Sequence, residues 1–460
     1  MSPTRARTAA GVAAILALVG LRLVLAGHLG LLADEALYWV WSLRPALGYF
    51  DQPPLIAWSL AVTGAVIGDS PVALRLVPIL CGAVIPLVLT PFAGDRFRFA
   101  LWVTALPVLF ALTQVATPDA WLLAAWAGSL AAACRGGRWW MVAGVCAGLA
   151  FLAKYTGAAV LPLAILAADR AERRTPWPWV GLGLAVALAA PNLWWNAQNE
   201  WITLRFQWHE GLAHPAAPGW PGLVIQPLAQ LAVAGPIAGI AGYLWIFSAP
   251  RRSLGRVERL AWATSAPLLL GFALAAVGGP PDAHWPAPAW IGLGLGLSHD
   301  RGRLGRLAEV GAWLAVALDL VAIAHVLSPI LAIPQDPAGR FSEGPLIAEP
   351  IGNWARPAIG EADRTPTAIY TERYQEATLI HYYARIPAVV LEGCGRSTQY
   401  DLWPRSEPVR TALFVRPETG GPPDCLEGRW ERVDGPHRVD GVDAAGRHVR
   451  RWQVFALGAP

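Results

Sequence analysis

The chain has 460 residues, of which 55% are hydrophobic and 15% charged, with a formal net charge of +4. A soluble domain carries roughly 25% charged residues, so the deficit excludes an ordinary soluble enzyme. The basic residues are all Arg except Lys154, and no basic stripe interleaves with aromatics, which argues against nucleic acid as a partner.

The first apolar stretch, 8–27, follows Arg5 and Arg7. A cleavable signal peptide with Ala26-Gly27 at its cleavage site is one reading. Full spanning length and the hydrophobic segments that follow favour a retained first helix. Residues 28–70 then form an outer loop of two short amphipathic helices, 34–46 and 55–67. They are joined by Gly48-Tyr49-Phe50-Asp51-Gln52-Pro53-Pro54, and Tyr38, Trp39, Trp41 and Trp58 suit helices lying in the headgroup zone. Further apolar runs occupy 71–93, 97–113, 118–134, 139–153, 156–169, 178–193, 224–247, 259–278, 285–298 and 307–330. With the first, they make about eleven spans, some short and interrupted by Pro or Gly.

Charge placement tests this reading independently. Alternate gaps carry Arg5/Arg7, Arg96/Arg98, Arg135/Arg138, Arg170/Arg173/Arg174, Arg251/Arg252/Arg256/Arg259 and Arg301/Arg303/Arg306. The other gaps are poor in Arg and rich in Asp, Trp, Pro and His. This is the positive-inside pattern, with the amino terminus in the cytoplasm and everything beyond about 335 outside. The outer gaps include 194–223, which starts with Trp194-Trp195-Asn196, and 279–286, which holds His284-Trp285-Pro286. After Pro334 the chain turns polar. Strand-like runs (Thr367–Thr371, Ala388–Glu392, Ala412–Arg416, Arg451–Ala456) alternate with a helix-like run, Tyr374–Ala384. The expectation is therefore a mainly α polytopic membrane domain, 1–334, followed by a small α/β soluble domain, 335–460.

The chemistry-bearing residues gather in the outer gaps. Asp34-Glu35 lies just beyond the first span, as a general base or as an ordinary acidic helix start. Asp119, in Thr117-Pro118-Asp119, opens a span and by itself reads as a capping residue sooner than as a catalyst. Lys154 ends another span, as a snorkelling side chain or as a point charge for a lipid phosphate. Arg22 and Arg75 could grip a phosphate or pair inside the bundle. His284 offers a metal ligand or a substrate contact, though one His without a spaced partner is a weak metal signal. No Walker loop, dinucleotide Gly fingerprint, zinc-type Cys spacing or nucleophile elbow occurs. Cys394 and Cys425 are the only cysteines of the tail; an oxidising compartment would allow them to pair, while two independent thiols remain the alternative.

Taken in order, Asp34-Glu35-Ala36-Leu37-Tyr38-Trp39, the Gly48–Pro54 segment, Thr117-Pro118-Asp119, Lys154-Tyr155-Thr156, Asn192–Trp201, His284-Trp285-Pro286-Ala287-Pro288 and Gln399-Tyr400-Asp401-Leu402-Trp403 resemble bacterial GT-C glycosyltransferases. These are the polyprenyl-phosphate-dependent enzymes of glycosyltransferase family 39, similar to protein O-mannosyltransferase and to the aminoarabinose transferase that modifies lipid A. The resemblance implies a GT-C fold with interfacial helices in the first outer loop. It also implies transfer of a sugar from a polyprenyl-phosphate carrier to an envelope lipid, glycan or protein at the extracytoplasmic face of the bacterial inner membrane. It matches Asp34 to the proposed base, Asp119 to the second catalytic acid and Lys154 to the carrier-phosphate contact. Glu35, Tyr38, Asp51, Arg75, Tyr155 and His284 complete the expected substrate-binding set. No cofactor is assigned, and a divalent metal is left open. The chain departs from the family at Gln52, where His is frequent, and at Thr398, where Asn is frequent.

A transporter or flippase would instead place its ionisable groups near mid-membrane and show repeat-related broken helices, and a non-catalytic scaffold needs no acid at all. Reporter fusions after Arg174, Arg252 and Arg303 are expected to read cytoplasmic, and those after Gly48, Trp195 and Asp336 extracytoplasmic. A cytoplasmic signal from the tail would overturn the topology.

Overall fold

The computed structural model describes residues 3–211, 219–279, 281–331, 333, 335–360, 368–404, 409, 411–418 and 423–458. Pro334 and Thr367, named above, lie outside them. The chain divides into two compact units. One comprises Met1–Leu23, Ala46–Ile56 and Arg75–Val321; the other comprises Val24–Pro45, Ala57–Leu74 and Ala322–Pro460.

The first unit is helical. Each apolar run lying in it yields helix, but several yield it in pieces. The run 97–113 breaks between Arg96–Ala105 and Pro107–Leu112; 224–247 breaks between Gly222–Ala234 and Pro236–Ser248. Proline at the second helix's start explains both breaks. It cannot donate to the preceding turn, and its ring disfavours helical backbone in the residue before it. By length and composition, the described helices long and apolar enough to cross a membrane number two, Pro71–Phe92 and Arg303–Leu327, or three if the bent pair Ala13–His28 and Ala33–Ser42 is one span. Helices Trp139–Ala153 and Trp177–Gln198 touch backbone to backbone: a Cβ on Gly144 would overlap the Gly181 carbonyl, and one on Gly181 the Trp140 carbonyl. Small residues at a crossing are what membrane helices use where burial of apolar surface supplies no driving force.

The Arg-rich gaps of this unit meet at one end. Arg252 pairs with Asp300 at 2.7 Å, Arg256 with Glu172 at 2.7 Å and Arg259 with Asp169 at 2.6 Å. Arg98 donates to the Asp300 carbonyl at 2.8 Å. Helix Pro118–Arg135 carries Arg135 in its last turn and Asp119 in its first, so Asp119 stands at the other end.

The second unit holds a five-stranded sheet, β1 (Ala368–Thr371), β2 (Ala388–Val390), β3 (Thr411–Pro417), β4 (Arg432–Val442) and β5 (His448–Gly458), in the order β2-β1-β3-β5-β4. The run read as helical, Tyr374–Ala384, connects β1 to the parallel β2, the crossover that parallel neighbours require. β5 pairs antiparallel with both β3 and β4. One face of the sheet is covered: Ala412 and Phe414 of β3 and Phe455 and Leu457 of β5 make a buried cluster with Leu426. β4 escaped the sequence reading because its first seven residues are exposed and Gly435-Pro436 interrupts them at a bulge. The helix Glu343–Gly360 was also missed.

Cys394 and Cys425 are bonded, with Cα atoms 5.2 Å apart and a sequence separation of 31, and both pack on the cluster around Phe414. A loop of that length constrains the unfolded chain by about 3–4 kcal/mol on chain-entropy grounds. Cys394→Ser is therefore expected to lower amide-exchange protection in β3 and β5 of the full-length protein by a similar amount; unchanged protection would show that the cross-link does not hold the sheet.

Candidate active site

In the first unit the outer-gap residues converge. Asp119 enters through Thr117-Pro118, with Pro118 at the first helical position where its missing N–H costs nothing. Lys154 follows helix Trp139–Ala153 with extended backbone. Its Nζ donates to Asp119 Oδ1 at 2.7 Å, and the two side chains are only 9% and 7% exposed. His284 Nε2 stands 3.8 Å from the other Asp119 oxygen, and the Lys154 ammonium lies 5.7 Å from the Trp285 ring centre. One carboxylate thus gathers a buried cation, a partly exposed imidazole and an indole face. Among the described residues, no group of three or more His, Cys, Asp or Glu side chains is placed to hold a metal ion.

A polar network adjoins Lys154 in sequence. Tyr155 Oη donates to Asn192 Oδ1 at 3.1 Å and accepts from Asn196 Nδ2 at 2.9 Å. Asn192 Nδ2 donates to the Leu47 carbonyl at 2.8 Å, and Thr203 donates to the Tyr49 carbonyl at 2.7 Å. Gln207 donates to the Asp51 carbonyl at 2.6 Å. Leu47 is therefore bonded to helix Trp177–Gln198, and the Gly48–Pro54 segment to the helix after it, Ile202–Gly211. Gly48 has no room for a side chain, since a Cβ would run into Trp195 and Asn192. Tyr49 is packed in: burial pushes its phenol up to about 12, against the opposing effect of the hydrogen bond from the Ala46 N–H. Asn192 and Asn196 are fully buried and absent from the expected site set. Their spacing of four on an apolar helix was the available signal, because it puts both amides on one face. Arg75 is fully buried within the same unit.

In the second unit Asp34 and Glu35 open helix Ala33–Ser42 and part company. Glu35 is fully buried and accepts from the Leu32 N–H at 2.9 Å, which is a helix-start role. Asp34 is exposed and accepts from Tyr374 Oη at 2.8 Å. The Arg396 guanidinium lies 5.4 Å from the Tyr374 ring centre. Tyr38 is buried against Trp41, with ring centres 5.1 Å apart. Nothing in the sequence pointed to Tyr374, because 340 residues separate it from Asp34.

Removing one member of the Asp119–Lys154 pair leaves a buried charge alone, which typically costs about 3–5 kcal/mol. Lys154→Met and Asp119→Asn are each expected to lower thermal stability in detergent, and the double variant to recover most of the loss. Single variants as stable as the parent would contradict a buried pair.

The chain is similar to known proteins. A family model described as dolichyl-phosphate-mannose-protein mannosyltransferase matches residues 51–195. The lipid A galacturonosyltransferase RgtD of Rhizobium johnstonii is 30% identical over 281 residues, which are 56% of this chain and 58% of that protein; the chain spans little more than half of that relative's length. ArnT from Cupriavidus metallidurans, solved bound to undecaprenyl phosphate, has the same fold with a TM-score of 0.62 at 14% identity, over 97% of this chain and 98% of that one. Its apo state gives 0.60 at 15% identity, over 98% of both. The resemblance to polyprenyl-phosphate-dependent GT-C glycosyltransferases read from the sequence is thus borne out by family model, relative and fold together.

Proposed function

We propose that the chain is a multi-pass membrane glycosyltransferase that moves a sugar from a polyprenyl-phosphate carrier to an acceptor lipid, glycan or protein of the cell envelope. The observation that carries this reading is the family match across 51–195, which contains Asp51, Arg75, Asp119, Lys154 and Tyr155. In support, RgtD is named for transfer to lipid A, and ArnT was solved with undecaprenyl phosphate.

The membrane is crossed by about eleven segments, several of them broken helices like those at Pro107 and Pro236. The end bearing the Arg ion pairs faces the cytoplasm, and the end bearing Asp119 and Lys154 faces outward. Residues 1–334 form the membrane domain and 335–460 the extracytoplasmic one.

The chemistry divides among three roles. The acceptor hydroxyl or amine attacks the anomeric carbon. The bond from that carbon to the carrier phosphate breaks, and its electron pair leaves with the phosphate. The acceptor's proton passes to the Asp34 carboxylate, the exposed acid of the Asp34-Glu35 pair. Lys154 stabilises the charge that grows on the leaving phosphate, as a compact ammonium suited to that task. Asp119 acts as its buried counter-ion and holds the ammonium in place. Arg75, Asp51, Tyr155 and His284 shape the carrier site, and Glu35 and Tyr38 set the start of the Asp34 helix.

A general base is worth about 10²–10⁴-fold in rate. Asp34→Asn is accordingly expected to lower sugar transfer from a polyprenyl-phosphate donor by at least about 100-fold, with yield and thermal stability preserved. Tyr374→Phe, which removes the hydrogen bond that orients Asp34, is expected to lower kcat more than it alters KM. Transfer at the parent rate by the Asp34 variant would rule out its role as base.

A further inference from the structure

The second unit contains a cavity of about 650 Å³ that the transfer chemistry does not use. It lies along β2, the edge strand of the sheet, and is closed by the end of helix Ala33–Ser42 and by the segment Gln399–Pro404. Its size falls in the range of sites that hold small ligands, roughly 300–1,000 Å³. Most of its wall is aliphatic: Val40 and Leu43 on one side, Ile369, Val389 and Leu391 on the other.

Polar groups gather at the other part of the wall. The Arg44 guanidinium lies over the Trp403 ring, 4.8 Å from its centre, and Trp403 meets Tyr400 edge to face at 5.3 Å. The Tyr400 hydroxyl is shut off from solvent and has no hydrogen-bond partner among the described residues. An unmade buried hydrogen bond is costly, so such a hydroxyl marks a place where a ligand atom belongs. Asp401, on the same wall, accepts from the Thr398 N–H at 2.6 Å. His381 supplies no compensating charge. Burial, with Arg44 and Arg385 adding to it, holds its imidazole down to about 4, so it is neutral at pH 7. Glu392, also on the wall, stands with Arg429, which donates to the Glu392 carbonyl at 2.7 Å.

We propose that this cavity binds an anionic amphiphile, with its phosphate or carboxylate on the Arg44 guanidinium and the Tyr400 hydroxyl and its apolar chain along Val40, Leu43, Ile369 and Val389. A guanidinium backed by an aromatic face and joined by a neutral O–H donor is a site for an oxyanion. A bare saccharide fits poorly, because its many hydroxyls would meet a wall with few hydrogen-bonding groups. A free inorganic anion would leave the aliphatic wall uncovered. The site concerns binding and is independent of the reading of Asp34 and Lys154.

The test is photolabelling of the full-length protein in phosphatidylcholine nanodiscs with dodecyl phosphate carrying a diazirine in its chain, the adducts being located by peptide mass spectrometry. Adducts are expected within 386–404, displaced by phosphatidic acid but not by inorganic phosphate at the same concentration. Arg44→Gln is expected to reduce them about tenfold, as loss of a charge-assisted hydrogen bond should. Tyr400→Phe keeps the cavity's shape and is expected to weaken labelling several-fold, and Val389→Trp fills the cavity and is expected to abolish it. Equal labelling by a neutral dodecyl glucoside with the same diazirine, or undiminished labelling of both Tyr400→Phe and Val389→Trp, would overturn the proposal. Displacement by inorganic phosphate as effective as by phosphatidic acid would assign the site to the free anion and overturn the amphiphile. Sugar transfer is not the readout, so neither outcome bears on the proposed activity.

Discussion

The first unit depends on one buried ion pair. Asp119 and Lys154 are both nearly closed to solvent, yet each is ionisable and sits at a helix end. Burying either charge alone is prohibitive, so the two ends must meet for either to be tolerated. That requirement fixes the start of helix Pro118–Arg135 against the end of Trp139–Ala153. It also brings His284 and Trp285 to the same place. The pair is a constraint on structure before it is anything else. Its place in a transfer reaction follows because a cation held by one counter-ion at a fixed depth is prepared to meet a second anion.

The same unit shows how a membrane protein accommodates irregular backbone. Breaks at Pro107 and Pro236 free peptide groups that hydrocarbon cannot satisfy, so they are tolerable only where other helices or polar side chains cover them. Near Lys154 the covering is explicit. Asn192, Asn196, Tyr155, Thr203 and Gln207 supply donors and acceptors to one another and to the carbonyls of Leu47, Tyr49 and Asp51. A loop rich in Gly and Pro is thereby held as firmly as an element of secondary structure.

The second unit solves a different problem. A small sheet with a limited core is reinforced by a cross-link against Phe414 and Phe455. Its crossover helix also serves residues far away in sequence: Tyr374 donates to Asp34, Thr378 to the Ala33 carbonyl, and Tyr382 to the Asp69 carbonyl. Val24–Pro45, Ala57–Leu74 and the tail therefore form one compact body, although most of the chain intervenes.

What the sequence determined by itself is what depends on local pattern. Hydrophobic runs set where helices form, Pro set where they break, the strand-like runs marked β1, β2, β3 and β5, and the alternation of Arg marked which loops would gather at one end of the first unit. The ordered motifs from Asp34 to Trp403 carried the family resemblance, and Asp34, Asp119 and Lys154 were legible as chemistry-bearing residues because charge beside an apolar run is expensive. The tertiary structure alone decided pairings. That Lys154 spends its charge on Asp119, that Glu35 caps a helix while its neighbour Asp34 stays exposed, that Tyr374 reaches Asp34, and that β4 completes the sheet despite its polar, Pro-interrupted sequence all depend on contacts between distant segments. A residue's type states what it needs, such as a counter-ion, a donor or a cover. Which of the many groups able to meet that need does so is settled only when the chain closes on itself.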